Sequence, residues 1–210
     1  MPRFRPIDPA GLAGRLADEI ERRAEVAAHP VRVGLDAPAC ADATALLGAL
    51  TDELGRRSRP MALVRDLDFY RDASVRLEHG RTDVGSFYAG WLDQAALTRE
   101  VLDPLGPGGS GSYLPSLRDR RTNRSTRAVP VELAPSGVLV VHGELLLGAG
   151  LPFDLSVHLM VSRQARRRLT PPELSWTLPA WDRYDLEVDP AALADVVVRF
   201  DDPRHPALSE

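Results

Sequence analysis

Val31-Arg32-Val33-Gly34-Leu35-Asp36, running into the small-residue loop Ala37-Pro38-Ala39-Cys40-Ala41, is the stretch on which the fold turns. A short run rich in Val ends in residues that suit a tight connection, so it reads as a strand entering a loop. Asp42 then offers a helix N-cap ahead of Leu46, Leu47, Leu50 and Leu54, which share one side of a helical wheel. Met61-Ala62-Leu63-Val64-Arg65 is the next strand. Strand, loop, helix, strand is a βαβ unit, with parallel strands and a right-handed crossover.

Outward from this unit, residues 9–28 read as an amphipathic helix with Leu12, Leu16 and Ile20 in register, ended by His29-Pro30. Downstream, residues 93–102 form another helical pattern, and the Gly/Pro/Ser stretch from Gly106 to Ser112 is a loop. Residues 106–132 are expected to hold this loop and a two-stranded excursion around the polar turn 119–125. Val138-Leu139-Val140-Val141 suits a parallel strand covered on both faces, as do residues 155–161 and 195–200. Short helices are expected at 163–169 and 180–188. The expectation is one α/β domain over residues 1–210, a three-layer α/β/α arrangement around a mostly parallel sheet of about five strands.

With 210 residues, 44% hydrophobic and 27% charged, the chain has the composition of a globular protein. No apolar run is long enough for a membrane span, no secretory h-region follows the N-terminus, and a single cysteine, Cys40, precludes an intrachain disulfide; a cytoplasmic location is the expectation. A net charge of −4 gives no general attraction for nucleic acid or anionic lipid. All 26 basic residues are Arg, so lysine-dependent chemistry is excluded within the chain.

Four stretches in order resemble the uridine kinase and phosphoribulokinase branch of P-loop kinases. They are Val31 to Pro38; Asp66-Leu67-Asp68-Phe69-Tyr70-Arg71, similar to an acidic-aromatic DxFYR turn; Val138 to Gly143, similar to a strand ending in Glu-Gly; and Pro179-Ala180-Trp181 with Tyr184, followed by Ala194 to Val198. The resemblance spans about residues 31–200 and implies the P-loop NTPase-like fold, with a small lid in 162–188. It also implies ATP and Mg²⁺ as cofactors of an active member, and a nucleoside, nucleotide or small anion as ligand.

Against that pattern the phosphate loop is degenerate. A P-loop uses glycines to curl N–H groups around phosphates, a Lys on the β/γ-phosphates and a Ser/Thr on Mg²⁺. Here the loop reads Ala37, Pro38, Ala39, Cys40, Ala41, Asp42, Ala43, Thr44: Ala37 and Asp42 stand at glycine positions, Ala43 stands for the Lys, and only Thr44 fits, as a Mg²⁺ position. Asp42 is expected to fill the helix N-terminus that would receive phosphate. The resemblance places the general base on Leu67, flanked by Asp66 and Asp68, and the metal-associated Glu on His142, a poor donor for Mg²⁺. Glu144 compensates only if the chain bends there. Asp36 and Asp68 are the catalytic candidates of a rearranged site. Tyr70, Arg71 and Tyr113 resemble a substrate pocket, and Arg163, Arg166, Arg167 and Arg168 resemble lid arginines, with a solvated helix face as the other reading.

The basic segment 118–127 lacks interleaved aromatics for base stacking and is expected as a flexible exposed excursion, so no nucleic-acid partner is expected. None of the five histidines has zinc-ligand spacing, and His158 reads as a hydrogen-bonded core residue. Three functions remain open: a degenerate relative with weak or absent phosphoryl transfer and a retained ligand pocket; an active nucleoside or small-molecule kinase with rearranged residues; and a scaffold that binds no ligand.

Overall fold

The structure is a computed structural model that describes residues 3–209. In chain order the strands are β1 (Phe4–Pro6), β2 (Val31–Asp36), β3 (Met61–Arg65), β4 (Ser112–Tyr113), β5 (Arg118–Asp119), β6 (Arg124–Ser125), β7 (Val131–Glu132), β8 (Val138–Gly143), β9 (Leu155–Met160), β10 (Val196–Arg199) and β11 (Ala207–Ser209). The helices are α1 (Pro9–Ala24), α2 (Thr44–Arg56), α3 (Ala73–Arg76), α4 (Val84–Gly90), α5 (Gln94–Leu97), α6 (Arg163–Leu169), α7 (Leu178–Glu187) and α8 (Pro190–Leu193). A π-turn over Thr98–Leu102 continues α5.

The seven-stranded sheet has the order β1-β11-β10-β9-β2-β8-β3. Five neighbours, β10 through β3, are parallel, and β11 and β1 add an antiparallel edge. The five-strand expectation therefore describes the parallel part. The two edge strands have three residues each and pair with one another, a non-local contact that no local pattern announces.

Alternation along the central strands divides the core. Val31, Val33, Leu35, Val138 and Val140 pack under α1 and α2, together with Leu12, Leu16, Ile20, Leu46 and Leu50. Leu139 and Val141 face the opposite layer with Phe69, Leu97, Val101, Leu102 and Leu105. Helices on both faces of a mostly parallel sheet make a three-layer α/β/α fold. On this second face β2 is not apolar: Arg32 pairs with Asp154, Gly34 lies against the Phe153 ring, and Asp36 is fully buried. A Cβ at Gly34 would meet that ring at 2.5 Å, which is why glycine stands there.

The 106–132 excursion forms two small ribbons, β4 with β7 and β5 with β6. Exposed as expected, its tip is nonetheless anchored rather than free. Arg118 pairs with Asp72 at 3.1 Å, Asn123 Oδ1 accepts the Ala73 N–H at 2.9 Å, and the Leu117 N–H donates to the Asp68 carbonyl at 3.0 Å. A second aromatic cluster, Tyr70, Phe87, Trp91 and Trp176 in edge-to-face and tilted contacts, packs α4 beside the turn after β3.

Candidate functional site

At the carboxyl ends of β2, β3 and β8 lies a cleft of about 350 Å³, where ligands bind in open α/β sheets. The loop after β2 forms one wall, Arg65, Asp66, Leu67 and Tyr70 another, and His142, Gly143 and Glu144 the floor, with Arg120 of the β5–β6 ribbon reaching over the mouth. The Arg120 guanidinium stands 5.9 Å from the Tyr70 ring centroid, a cation–π contact.

Four N–H groups of the loop already have acceptors, two within the loop and two at the end of β8. Ala37 N–H donates to Gly143 O at 2.9 Å, Ala41 N–H to Pro38 O at 2.8 Å, Ala39 N–H to Glu144 Oε1 at 3.0 Å and Thr44 N–H to Asp42 Oδ1 at 3.0 Å. Among the described residues, none from Ala37 to Thr44 has a positive φ, so the loop lacks the αR–αL alternation of a phosphate nest. Asp42 does not act as the expected N-cap. Ala43 occupies that position and makes no side-chain cap bond, and Asp42 holds one N–H only.

The carboxylate facing the cleft from the turn after β3 is Asp66, one residue before the position the resemblance assigns. The 3₁₀ turn over Asp66–Phe69 buries Asp66 and leaves Asp68 outside the cleft lining. Asp66 accepts from Leu67 N–H at 2.6 Å, Glu144 N–H at 3.0 Å and Tyr70 OH at 3.2 Å. Gly143 makes this possible, since a Cβ there would come within 2.3 Å of Asp66 Cβ. Burial raises Asp66 from 3.8 to about 6 against the pull of these donors. Glu144 rises from 4.5 to about 7, through burial first and the neighbouring Asp66 second. Burial holds His142 below its ordinary value, with Arg65 adding to the effect.

These shifts carry a pH dependence of stability. The folded state binds both protons more tightly than the unfolded chain, so their contribution is complete below about pH 4. It is lost as pH rises through about 6 for Asp66 and about 7 for Glu144. Stability in urea melts is expected to fall by about 4 kcal/mol between pH 5 and 8. The double change Asp66→Asn, Glu144→Gln should flatten that slope, and an equal slope in the double variant would count against this assignment.

Of the other candidates, Asp36 lies beneath the cleft rather than in it. Its oxygens take Leu146 N–H at 2.9 Å, His158 Nδ1 at 2.8 Å and Tyr184 OH at 3.2 Å, so it serves as a structural anchor among β2, β9 and α7. Tyr113 is buried in the second core layer and Arg71 is exposed, both outside the cleft lining. Arg166 is buried between Asp182 and Asp185 on α7, with its guanidinium over Trp181; Arg163 pairs with Asp182; Arg167 and Arg168 are exposed. Cys40 is half-buried in the loop. Three lining residues, Asp66, Arg65 and Arg120, were not singled out by residue type and spacing. Asp66 had a signal in its acidic-aromatic turn, whereas Arg120 had none beyond a basic segment. Among the described residues no cluster of three or more His, Cys, Asp or Glu is arranged to hold a metal ion, and no helix is long and apolar enough to cross a membrane.

Solved structures similar to this one include two that carry kinase names. A possible uridine kinase from Bacillus stearothermophilus superposes with a TM-score of 0.64 at 19% identity, over 87% of this chain and 98% of that one. A putative fructose transport system kinase from Silicibacter sp. TM1040 superposes with a TM-score of 0.57 at 18% identity, over 91% of this chain and 98% of that one. Comparison with protein-family models gives no match, and comparison with curated proteins gives no relative. At these identities the likeness establishes the fold alone: the chain shares the three-layer α/β/α fold of these two structures.

Proposed function

We propose that this protein is a uridine-kinase-like member of the P-loop kinase fold whose cleft binds a small hydroxyl-bearing ligand, such as a nucleoside, with little or no ATP-dependent phosphoryl transfer. The observation that carries this reading is the loop after β2, where four N–H donors are already taken by the chain's own oxygens. Ala43 supplies no cation, and the carboxyl groups of Asp42, Asp66 and Glu144 stand where a triphosphate would lie. This donor set does not fit a Mg²⁺-bound triphosphate. Loss of a single electrostatic stabiliser costs other enzymes on the order of 100- to 1000-fold, and here several are missing together.

What the cleft retains suits an uncharged polar ligand. Its volume of about 350 Å³ lies at the lower end of the range for small-molecule sites. Carboxyl groups of Asp66 and Glu144, the Thr44 hydroxyl and the His142 imidazole can hydrogen-bond to ligand hydroxyls. The similar structures named above carry the names of a possible uridine kinase and a putative fructose transport system kinase, and uridine and fructose are both rich in hydroxyls.

The test is thermal stabilisation by uridine, cytidine, ATP and GTP, each with and without Mg²⁺, alongside an assay for ADP release. Native-state binding raises stability by about 2.7 kcal/mol at 100 times Kd. The expected result is a shift with a nucleoside and none that depends on Mg²⁺ and ATP. A Mg²⁺-dependent ATP shift would instead support an active kinase in which Arg65 and Arg120, at the mouth, neutralise the phosphates. No shift with any of the four would support the scaffold reading.

A further inference from the structure

Glu144 stands one residue beyond β8, at a bend. The next residue, Leu145, has φ of 57°, a left-handed conformation uncommon for a side chain of this kind. The Glu144 side chain lines the cleft beside this turn. There its Oε1 accepts the Ala39 N–H from the loop after β2 at 3.0 Å and the Trp181 Nε1–H from α7 at 3.0 Å. Its own N–H donates to Asp66 Oδ2 at 3.0 Å. One carboxylate oxygen therefore joins three parts of the chain that approach one another only in the folded state.

The bond to Ala39 is the informative one. An N–H in this loop is the kind of donor that holds a ligand phosphate in a P-loop. Here the acceptor is an oxygen of the chain itself, carried on a side chain, and above about pH 7, where Glu144 is ionised, it brings a negative charge to the loop. Phosphate arriving at the same place would lose that donor to Glu144 and would face Asp66 and Glu144 across a short gap, a like-charge arrangement.

We infer that Glu144 is a specificity-determining residue of the cleft: a tethered carboxylate that takes the place of a ligand phosphate at Ala39 and admits only ligands uncharged at that end. The inference rests on the reading of the cleft as a ligand site without Mg²⁺–ATP chemistry, and it names the residue that excludes phosphate. Glu144 contacts the loop directly, whereas Trp181 acts through Glu144 as a positioning residue.

Inorganic pyrophosphate is the probe, titrated by calorimetry at about pH 8, above the value of about 7 to which Glu144 is raised, and at low salt, into the full chain and three variants. Glu144→Gln keeps an acceptor oxygen for Ala39 and Trp181 but removes the charge. Glu144→Ala removes both. Trp181→Phe removes one donor to the tether and leaves the charge. The expected result is no measurable pyrophosphate binding by the unchanged protein or by Trp181→Phe. Binding should become measurable in Glu144→Gln, about tenfold or more tighter than the detection limit met by the unchanged protein, and at least as tight in Glu144→Ala, since facing like charges cost more than a tenfold change in affinity. Circular-dichroism melts identify which variants are folded, and either Glu144 variant alone suffices for the comparison.

Three outcomes would overturn the inference. One is pyrophosphate binding by the unchanged protein equal to that of the Glu144 variants. Another is no gain in a folded Glu144 variant. The third is an equal gain in Trp181→Phe, which would make loosening of the tether, and not charge, the cause. Failure of the underlying reading looks different, because it appears as Mg²⁺-dependent ATP binding by the unchanged protein.

Discussion

Asp36→Ala is expected to destabilise the fold by about 3–5 kcal/mol, the cost of breaking a buried charged or strongly hydrogen-bonded set by removing one member. Asp36 is fully buried, and its two oxygens accept from Leu146 N–H, His158 Nδ1 and Tyr184 OH. Alanine would leave all three partners inside the protein without that acceptor, and each unsatisfied buried group costs about 1–3 kcal/mol. For a chain of this size, each kcal/mol lowers Tm by about 2–4 °C, so a fall on the order of 10 °C is expected. Urea unfolding of the variant gives the free energy directly, and a loss below about 1 kcal/mol would remove Asp36 from its place as the anchor of the cleft floor. Asn at this position keeps one acceptor oxygen, so Asp36→Asn should fall between the two.

The second large effect belongs to Arg32 and Asp154. Arg32 is 6% exposed, and its guanidinium meets Asp154 in a two-point pair, Nε to Oδ2 at 2.9 Å and Nη2 to Oδ1 at 2.8 Å. Asp154 Oδ2 also accepts the Arg32 backbone N–H at 2.8 Å, while Nη1 reaches the Leu102 carbonyl at 3.1 Å. Gly106 lets the guanidinium sit there, because a Cβ would come within 2.6 Å of Nη1. Asp154→Ala strands a buried cation and is expected to cost about 3–5 kcal/mol. Arg32→Met combined with Asp154→Ala should recover most of that loss, because an apolar replacement of a whole buried pair is often close to neutral. A double-mutant cycle measures the coupling, and additive losses would mean that the pair is not the unit that matters.

Both pairs show where the sequence stops being informative. Arg32 and Asp36 stand in the strand that decides the fold, yet Asp154, Leu146, His158 and Tyr184 lie more than one hundred residues away. Alternation assigns the two side chains to the same face of β2, but it cannot name Asp154, His158 or Tyr184. His158 was legible as a hydrogen-bonded residue of an apolar strand, and its acceptor was not.

The site divides in the same way. The small-residue loop, the acidic-aromatic turn and the strand ending at Gly143 are each visible in the sequence pattern, and they meet at one cleft. Which carboxylate of the turn faces that cleft depended on a 3₁₀ turn beginning at Asp66, a rotation that spacing alone does not determine. Arg120 is one Arg among many in a basic segment until the ribbon is docked on α3 and brings it over Tyr70. The helix α6 arginines carried a strong pattern, but ion pairs with α7 hold Arg163 and Arg166 away from the cleft.

Local chemistry in the sequence determined the helices with long apolar stripes, the five parallel strands, the absence of any lysine and the loss of the loop glycines, since each depends on residues near one another in the chain. Tertiary structure decided the antiparallel edge β11–β1, the inward turn of Asp66 and the reach of Glu144 to Ala39 and Trp181. These depend on pairings between distant segments, whose energy exists only once the sheet has assembled and brought the partners within hydrogen-bonding distance.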